Sequence, residues 1–167
     1  MGYTTDFEGY LEINPPLSEA HENYLGAFSS TRRMLRNPHK LVDKSDPVRK
    51  AVRLPLGVDG EFYVGSDGID FGQERTEDII DYNSPPSTQP GLWCQWTCYG
   101  SILEWDGGEK FYEYDKWLQY LLTSFFIPWG YTLNGTIDWS GEENGDLGRL
   151  EVVNNVLTVK RAVITYE

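Results

Sequence analysis

The residues with the clearest chemical potential are acids that the predicted strands place on one face of a sheet. They are Glu12, Glu104, Asp106 and Asp138. Clustered carboxylates can bind a divalent cation or act together as a general acid and a general base. Acids are frequent throughout this chain, however, so a solvated acidic surface is the preferred interpretation. We predict no catalytic residue, no metal site and no cofactor.

Histidine and cysteine chemistry is sparse. His21 and His39 are the two histidines, and no nucleophile with a base at a typical spacing accompanies them. Cys94 and Cys98 would lie about 13 Å apart on a strand, whereas a disulfide requires Cα atoms within about 7 Å. The sequence therefore predicts two buried thiols, which fits a reducing compartment.

A second set of residues combines aromatic rings with amides. A proline-containing segment over residues 82–90 is rigid and polar, and it leads directly into a strand rich in aromatic residues. The residues concerned are Tyr82, Asn83, Gln89, Trp93 and Gln95. Aromatic walls with a few amides suit a small-molecule pocket, with Trp105 as a further wall, although they suit ordinary packing equally well.

Alternating and helical patterns define the elements that must position these residues. Strands are predicted over 7–13, 92–99, 102–106, 131–139, 150–153 and 156–166, and helices over 19–35 and 110–126. Ser18 is the expected N-cap of the first helix, and Asn154-Asn155 suits the turn of a final hairpin. Short pieces of structure are expected over 47–52, as a helical turn, and over 61–64, as a strand.

This element order predicts one α+β domain over residues 1–167. The first six elements match a ferredoxin-like split βαβ sandwich, an antiparallel sheet with two helices on one face. A C-terminal β-hairpin extends the sheet, and residues 37–90 form a long, partly irregular insertion after the first helix. Loops of that length are often functional, or they pack as covers over apolar surface.

The predicted sheet has an inner face against the helices and an outer face. Leu92, Cys94, Trp96 and Cys98 form the more apolar set of their strand, so we place Trp93 and Gln95 on the outer face. The partner strand of the hairpin adds Glu104 and Asp106 to that face. The first and sixth elements add Glu8, Tyr10, Glu12, Asn134, Thr136 and Asp138. Either the insertion or a partner is expected to cover Trp93.

The net charge of −12 opposes direct binding of nucleic acid and of anionic membranes. Residues 32–53 carry eight basic and two acidic residues, a charge of +6, which leaves −18 on the rest of the chain. This basic segment could dock on the chain's own acidic body or on a partner. No apolar run is long enough to span a membrane.

Two stretches resemble a group of small, uncharacterised proteins encoded by bacteria and phages. They are residues 91–111, which contain Trp93-Cys94-Gln95-Trp96 and Glu104-Trp105-Asp106-Gly107-Gly108, and residues 128–135, which contain Pro128-Trp129-Gly130-Tyr131. The similarity extends to residues 3–7 and 31–34. The resemblance implies a bacterium or its mobile elements as the source and a cytoplasmic setting, and it carries over no functional residue.

These observations together favour a non-enzymatic protein-binding module. The expected partner is a host protein with a basic surface, and the expected role is that of an acidic inhibitor or modulator, for example of host defence. The final strands also leave an edge through which two copies could pair. The alternative is a small-ligand-binding protein or enzyme with a pocket between the 82–90 segment and the outer sheet face.

Overall fold

The computed structural model describes residues 2–65 and 75–167, which form two compact units. The first unit comprises Met1–Leu17 and Gln95–Glu167, and the second comprises Ser18–Cys94. The prediction of a single domain stays a prediction. The fold class is α+β, with one large antiparallel sheet, one small sheet and three helices among the described residues.

The first unit is built on a six-stranded antiparallel sheet. Its strand order is β4-β5-β1-β6-β7-β8, so the two longest strands lie at the centre. The strands are β1 Thr5–Asn14, β4 Trp96–Tyr99, β5 Ile102–Trp105, β6 Thr132–Gly141, β7 Leu147–Val153 and β8 Val156–Arg161. The predicted hairpins over β4–β5 and β7–β8 are confirmed, and β4 is shorter than the predicted 92–99.

Alternation explains why the central strands bury one face. Phe7, Leu11 and Ile13 of β1 are buried, while Glu8 and Glu12 between them are exposed. The same period of two holds along β6, where Leu133, Ile137, and Trp139 are buried. The predicted inner and outer faces of these two strands are therefore confirmed.

One long helical segment covers the inner face. Helix α3 spans Tyr114–Leu121 and continues through a wider turn at Leu122–Phe126 to a last turn at Ile127–Trp129. Trp96 donates its indole N–H to the Tyr114 carbonyl oxygen at 2.9 Å, and its ring lies 5.1 Å from that of Phe7. These contacts tie helix, hairpin and central strand into one aromatic core.

Both ends of this segment differ from the prediction. The helix does not start at residue 110, because Lys110 and Glu113 adopt left-handed backbone angles that no regular helix can include. It does not end before Pro128 either, since the chain stays helical to Trp129. Gly130, with φ of 86°, ends it.

The second unit contains two helices and a small sheet. Helix α1 spans Glu19–Ser29 and α2 spans Pro47–Ala51, while β2 Leu35–Arg36 pairs with β3 Ile79–Asp81. The Ser18 side chain accepts a hydrogen bond from the His21 amide, which confirms the predicted N-cap. The short helix over 47–52 is confirmed, whereas the strand over 61–64 is wrong because that segment is turn and coil.

Helix α1 is six residues shorter than predicted. Ser30 Oγ donates to the Gly26 carbonyl at 2.8 Å, and Thr31 Oγ1 donates to the Ala27 carbonyl at 2.7 Å. The hydroxyl side chains thus add second hydrogen bonds to carbonyls of the last turn, which also accept from the Ser30 amide. The chain then turns away to form β2.

The basic segment, residues 32–53, belongs to the second unit, and several of its arginines are buried. Arg33, Arg36 and Arg49 are all buried. Arg33 donates to the carbonyl oxygens of Glu61 and Tyr63 at 2.8 Å each, so its guanidinium joins segments far apart in sequence. These arginines serve the interior of the unit.

Two further expectations concern the whole chain. Cys94 and Cys98 are buried and form no disulfide, as predicted. Across residues 2–65 and 75–167, no helix is both long and apolar enough to cross a membrane.

Candidate binding surface

The outer face of the six-stranded sheet is the largest set of polar side chains that the strands present together. On β1 it consists of Asp6, Glu8, Tyr10 and Glu12, all exposed. Their partners across β6 are, in the same order, Ser140, Asp138, Thr136 and Asn134. The predicted positions of Glu12, Asn134 and Asp138 on this face are thus confirmed.

Some of the acids on this face are paired with cations. Arg149 holds Asp138 through two hydrogen bonds, from Nε at 2.6 Å and from Nη2 at 3.2 Å. The bonds from Arg149 lower the pKa of the Asp138 carboxyl below its ordinary value. Lys160 Nζ donates a single hydrogen bond to Glu151 at 3.0 Å.

The acids of β1 are different. Within the described part of the chain, Asp6, Glu8 and Glu12 have no cationic side chain within 4.0 Å. Asp6 and Glu8 lie about 6.6 Å apart, closer than a Debye length of about 8 Å in physiological salt, and Glu12 follows about 13 Å further along the strand, beyond Tyr10. The middle of the face therefore carries an uncompensated line of negative charge.

Two tyrosines lie on this acidic face. Tyr10, between Glu8 and Glu12, is 53% exposed, and Tyr99 of β4 is 49% exposed. Tyr99 donates its hydroxyl to Glu104 at 2.7 Å, and this hydrogen bond raises the pKa of the phenol. Large exposed aromatic groups beside charges are typical of protein-binding surfaces.

The structure separates Glu12 from Asp138, two of the four acids that the sequence grouped as a potential metal or acid–base site. Glu12 lies opposite Asn134, whereas Asp138 lies opposite Glu8, so the two acids are four residues and about 13 Å apart along the sheet. The described residues contain no group of three His, Cys, Asp or Glu side chains arranged to hold a metal ion.

Gln95 and Asp106 lie next to each other at the open end of the β4–β5 hairpin, away from its turn, where the Asp106 amide donates to the Gln95 carbonyl at 3.0 Å. Gln95 Nε2 donates to the Glu109 carbonyl at 2.8 Å, and Asp106 accepts from the Gly108 amide at 2.7 Å. Both residues therefore support the turn beside the outer face. Trp105 is half-buried and packs on the inner face against Phe7, with ring centroids 5.4 Å apart, and its indole N–H donates to the Gly108 carbonyl at 3.1 Å.

Three other predicted site residues make contacts within the second unit, where Tyr82 is half-buried and Asn83 is exposed. The Arg32 guanidinium lies 4.3 Å from the centre of the Tyr82 ring, and its Nη2 donates to Asn83 Oδ1 at 3.3 Å. Gln89 is buried, and its Nε2 donates to the Glu61 carbonyl at 2.7 Å. Trp93 is half-buried. The pocket proposed to join these residues to the outer face stays a prediction.

Sequence reasoning missed Arg149 of β7 and Lys160 of β8, which lie two and three strands away from the acidic strand β1 on the same face. A signal for them was available. A hairpin turning at Asn154-Asn155 pairs residues whose numbers add to 309, and this register places Arg149 directly opposite Lys160. Alternation then assigns both side chains to the outer face.

The molecule is thus an α+β protein with an open, mostly acidic sheet face. No protein-family model, curated protein or solved structure matches the chain. Function is therefore inferred from the geometry and charge of the chain's own residues.

Proposed function

We propose that this protein is a non-enzymatic binding module that attaches to another protein through the outer face of its sheet. The observation that carries the proposal is the line of acids on β1, Asp6, Glu8 and Glu12, with the exposed Tyr10 among them. In the bacterial or phage setting that the resemblance implies, the partner is a host protein and binding inhibits or modulates it in the cytoplasm.

A partner with a basic surface fits this face best. The carboxylates of β1 are exposed, and no cationic side chain of residues 2–65 and 75–167 lies within 4.0 Å of them, so a partner's Lys or Arg side chains can pair with them without breaking an ion pair seen in this part of the chain. Tyr10 and Tyr99 supply contact area at a small cost in side-chain entropy. Long-range attraction by the net charge of −12 would accelerate the encounter.

Imitation of a polyanion is one form of this function. Regularly spaced carboxylates on a rigid sheet would then occupy the nucleic-acid site of a basic partner. Because exposed charges dominate such an interface, its affinity should fall steeply as salt rises. Affinity that stays flat between low and high salt would exclude this form.

We also infer that the sheet follows the ferredoxin-like split βαβ plan. Strand β1 lies between β5 and β6, which are consecutive strands joined by the α3 segment, and the neighbours are antiparallel. This order supports the plan for the second βαβ half. The placement of α1 on the same face remains the prediction made from the element order.

The test is affinity capture followed by a measured binding constant. Tagged protein is incubated with nuclease-treated bacterial lysate at low and high salt, and retained proteins are identified by mass spectrometry. The affinity of a purified, stoichiometric partner is then measured for the natural chain and for a Glu8→Gln, Glu12→Gln double variant. We expect roughly tenfold weaker binding by the variant.

A charge-matched control separates this surface from net charge alone. Asp43→Asn with Glu77→Gln removes two exposed acids from the second unit and changes the net charge by the same amount. This control should bind like the natural chain. Equal weakening by both double variants, or by neither, would show that the β1 face is not the binding surface.

A further inference from the structure

A trough crosses the outer face where β6 ends, β7 begins and β8 ends. Its volume is about 380 Å³, within the range of small-molecule sites. One side is a charged row, Asp138, Arg149 and Lys160, whose members are direct cross-strand neighbours. The opposite side is apolar and consists of Leu147 and Ala162, which are joined by a backbone hydrogen bond of 2.9 Å.

Gly148 lies between these two sides and forms the floor. Alternation directs it toward the inner face, where a Cβ atom would meet the indole of Trp139 at 2.2 Å. The indole thus lies directly against the backbone on the inner side. The outer side of the sheet at this point is therefore peptide backbone bordered by one charged and one apolar wall.

The charged wall retains hydrogen-bond donors. Arg149 uses its Nε and Nη2 on Asp138, so three of the five N–H groups of the guanidinium are not used there. Lys160 uses one of three donors on Glu151. Both cations are exposed by about half, so an anion can approach them while the existing pairs persist.

We propose that this trough binds a small amphiphilic anion. Its anionic group, a carboxylate or a group of similar chemistry, accepts hydrogen bonds from Arg149 and Lys160. Its alkyl or aromatic body lies on Leu147, a leucine that is 39% exposed, and on Ala162. A simple inorganic anion lacks the apolar contact. An amphiphilic cation meets the like charges of Arg149 and Lys160, and the neighbouring acids Asp138 and Glu151 are already paired with them.

The trough adjoins the acids of β1, since Asp138 lies opposite Glu8, but the proposed ligand contacts Arg149, Lys160, Leu147 and Ala162 and none of those acids. Its binding is therefore tested independently of the proposed partner. The probes are hexanoate, acetate and hexylammonium, each titrated into the full chain labelled with ¹⁵N. Amide chemical shifts are followed at residues 147–149 and 160–162. Hexanoate should shift these amides with saturation, acetate should bind about tenfold more weakly, and hexylammonium should leave them unchanged.

Single substitutions test the charged wall and the apolar wall of the trough separately. Lys160→Gln should weaken hexanoate by about fivefold or more, and Leu147→Ser should reduce the advantage of hexanoate over acetate. Lys50→Gln, which removes an exposed lysine from the second unit, should change neither constant. Dispersed amide spectra confirm that each variant is folded. Unsaturable or absent shifts at the trough, or equal response to hexylammonium, would overturn the proposal.

Discussion

Asp78 is expected to stabilise the second unit more than any other single carboxylate there, and Asp78→Asn tests this. Its side chain is fully buried and accepts a hydrogen bond from Arg36 Nη1 at 2.6 Å and from Lys44 Nζ at 2.8 Å, with a further bond from the Thr76 hydroxyl. The substitution keeps the shape of the group and removes the charge that both cations face.

The magnitude follows from the pKa of this carboxyl. Burial by itself raises the pKa of Asp78, but the bonds from Lys44, Thr76 and Arg36 outweigh it and lower the pKa from 3.8 to about 2. Each pKa unit corresponds to about 1.4 kcal/mol, so the charged form contributes about 2 kcal/mol. Because Arg36 is itself buried and would lose this carboxylate, the total loss should approach 3 to 4 kcal/mol.

The same shift sets a pH dependence. The folded pKa lies below the unfolded value of 3.8, so the unfolded chain binds more protons in this range, and stability is lost as the pH falls from about 4 toward 2. The Asp78→Asn variant should lack this part of the acid dependence. Its stability loss relative to the natural chain should therefore shrink over the same pH interval.

Urea denaturation followed by far-ultraviolet circular dichroism, at pH 7 and through the acid range, measures both effects. Asp81→Asn is the matched control, since Asp81 is exposed and accepts bonds only from the nearby Asn83 amide and Ser84 hydroxyl among its described contacts. Asp81→Asn should lower the free energy of unfolding by less than Asp78→Asn does. A loss below 1 kcal/mol for Asp78→Asn, or acid profiles that run parallel to the natural chain, would refute the reasoning.

Two further predictions test the backbone of the sheet. Gly135→Ala should cost at least about 2 kcal/mol, because Gly135 has φ of 141° and a Cβ there would lie 2.7 Å from the Tyr10 carbonyl oxygen. Gly26→Ala, in α1 with open space around it, should instead stabilise by about 0.5 to 1 kcal/mol, and the opposite order in thermal melts would contradict this account. On β8, the Ala162 amide donates to the Leu147 carbonyl of β7. Backbone amides along a strand point alternately to its two sides, so the Thr158 amide also points to β7 and the Val159 amide points to the open edge. Thr158→Pro should therefore cost about 2 kcal/mol or more and Val159→Pro distinctly less, as hydrogen exchange along β7 would report; equal losses would mean that the register is wrong.

Local patterns predicted those parts of the fold that depend on neighbours in the chain. The alternation of β1 and β6 identified their buried and exposed faces, and Ser18 marked the start of α1. Patterns were weaker at the ends of elements. Helix α1 stops where hydroxyl side chains cap it, and β4 begins at Trp96 because Leu92 bonds to Arg33 within the second unit instead of joining the ladder.

The candidate surface likewise has one feature that local patterns predicted and one that they did not. Acid positions on β1 followed from the period of two, since each residue's face depends only on its own strand. The period of two did not predict which acids form ion pairs. Asp138 pairs with Arg149 because the register between β6 and β7 places them opposite each other. The resemblance to bacterial and phage proteins added a setting and no residue.

The sequence by itself determined the α+β class, the acidity, the two faces of the central strands and the burial of both cysteines. Each of these depends on composition or on residues within one element. Only the tertiary structure decided that Arg33, Arg36 and Arg49 lie inside their unit and that Glu8 and Glu12 keep their charge uncompensated. The physical reason is that burial and ion pairing depend on distances between residues far apart in the chain, which local periodicity does not encode.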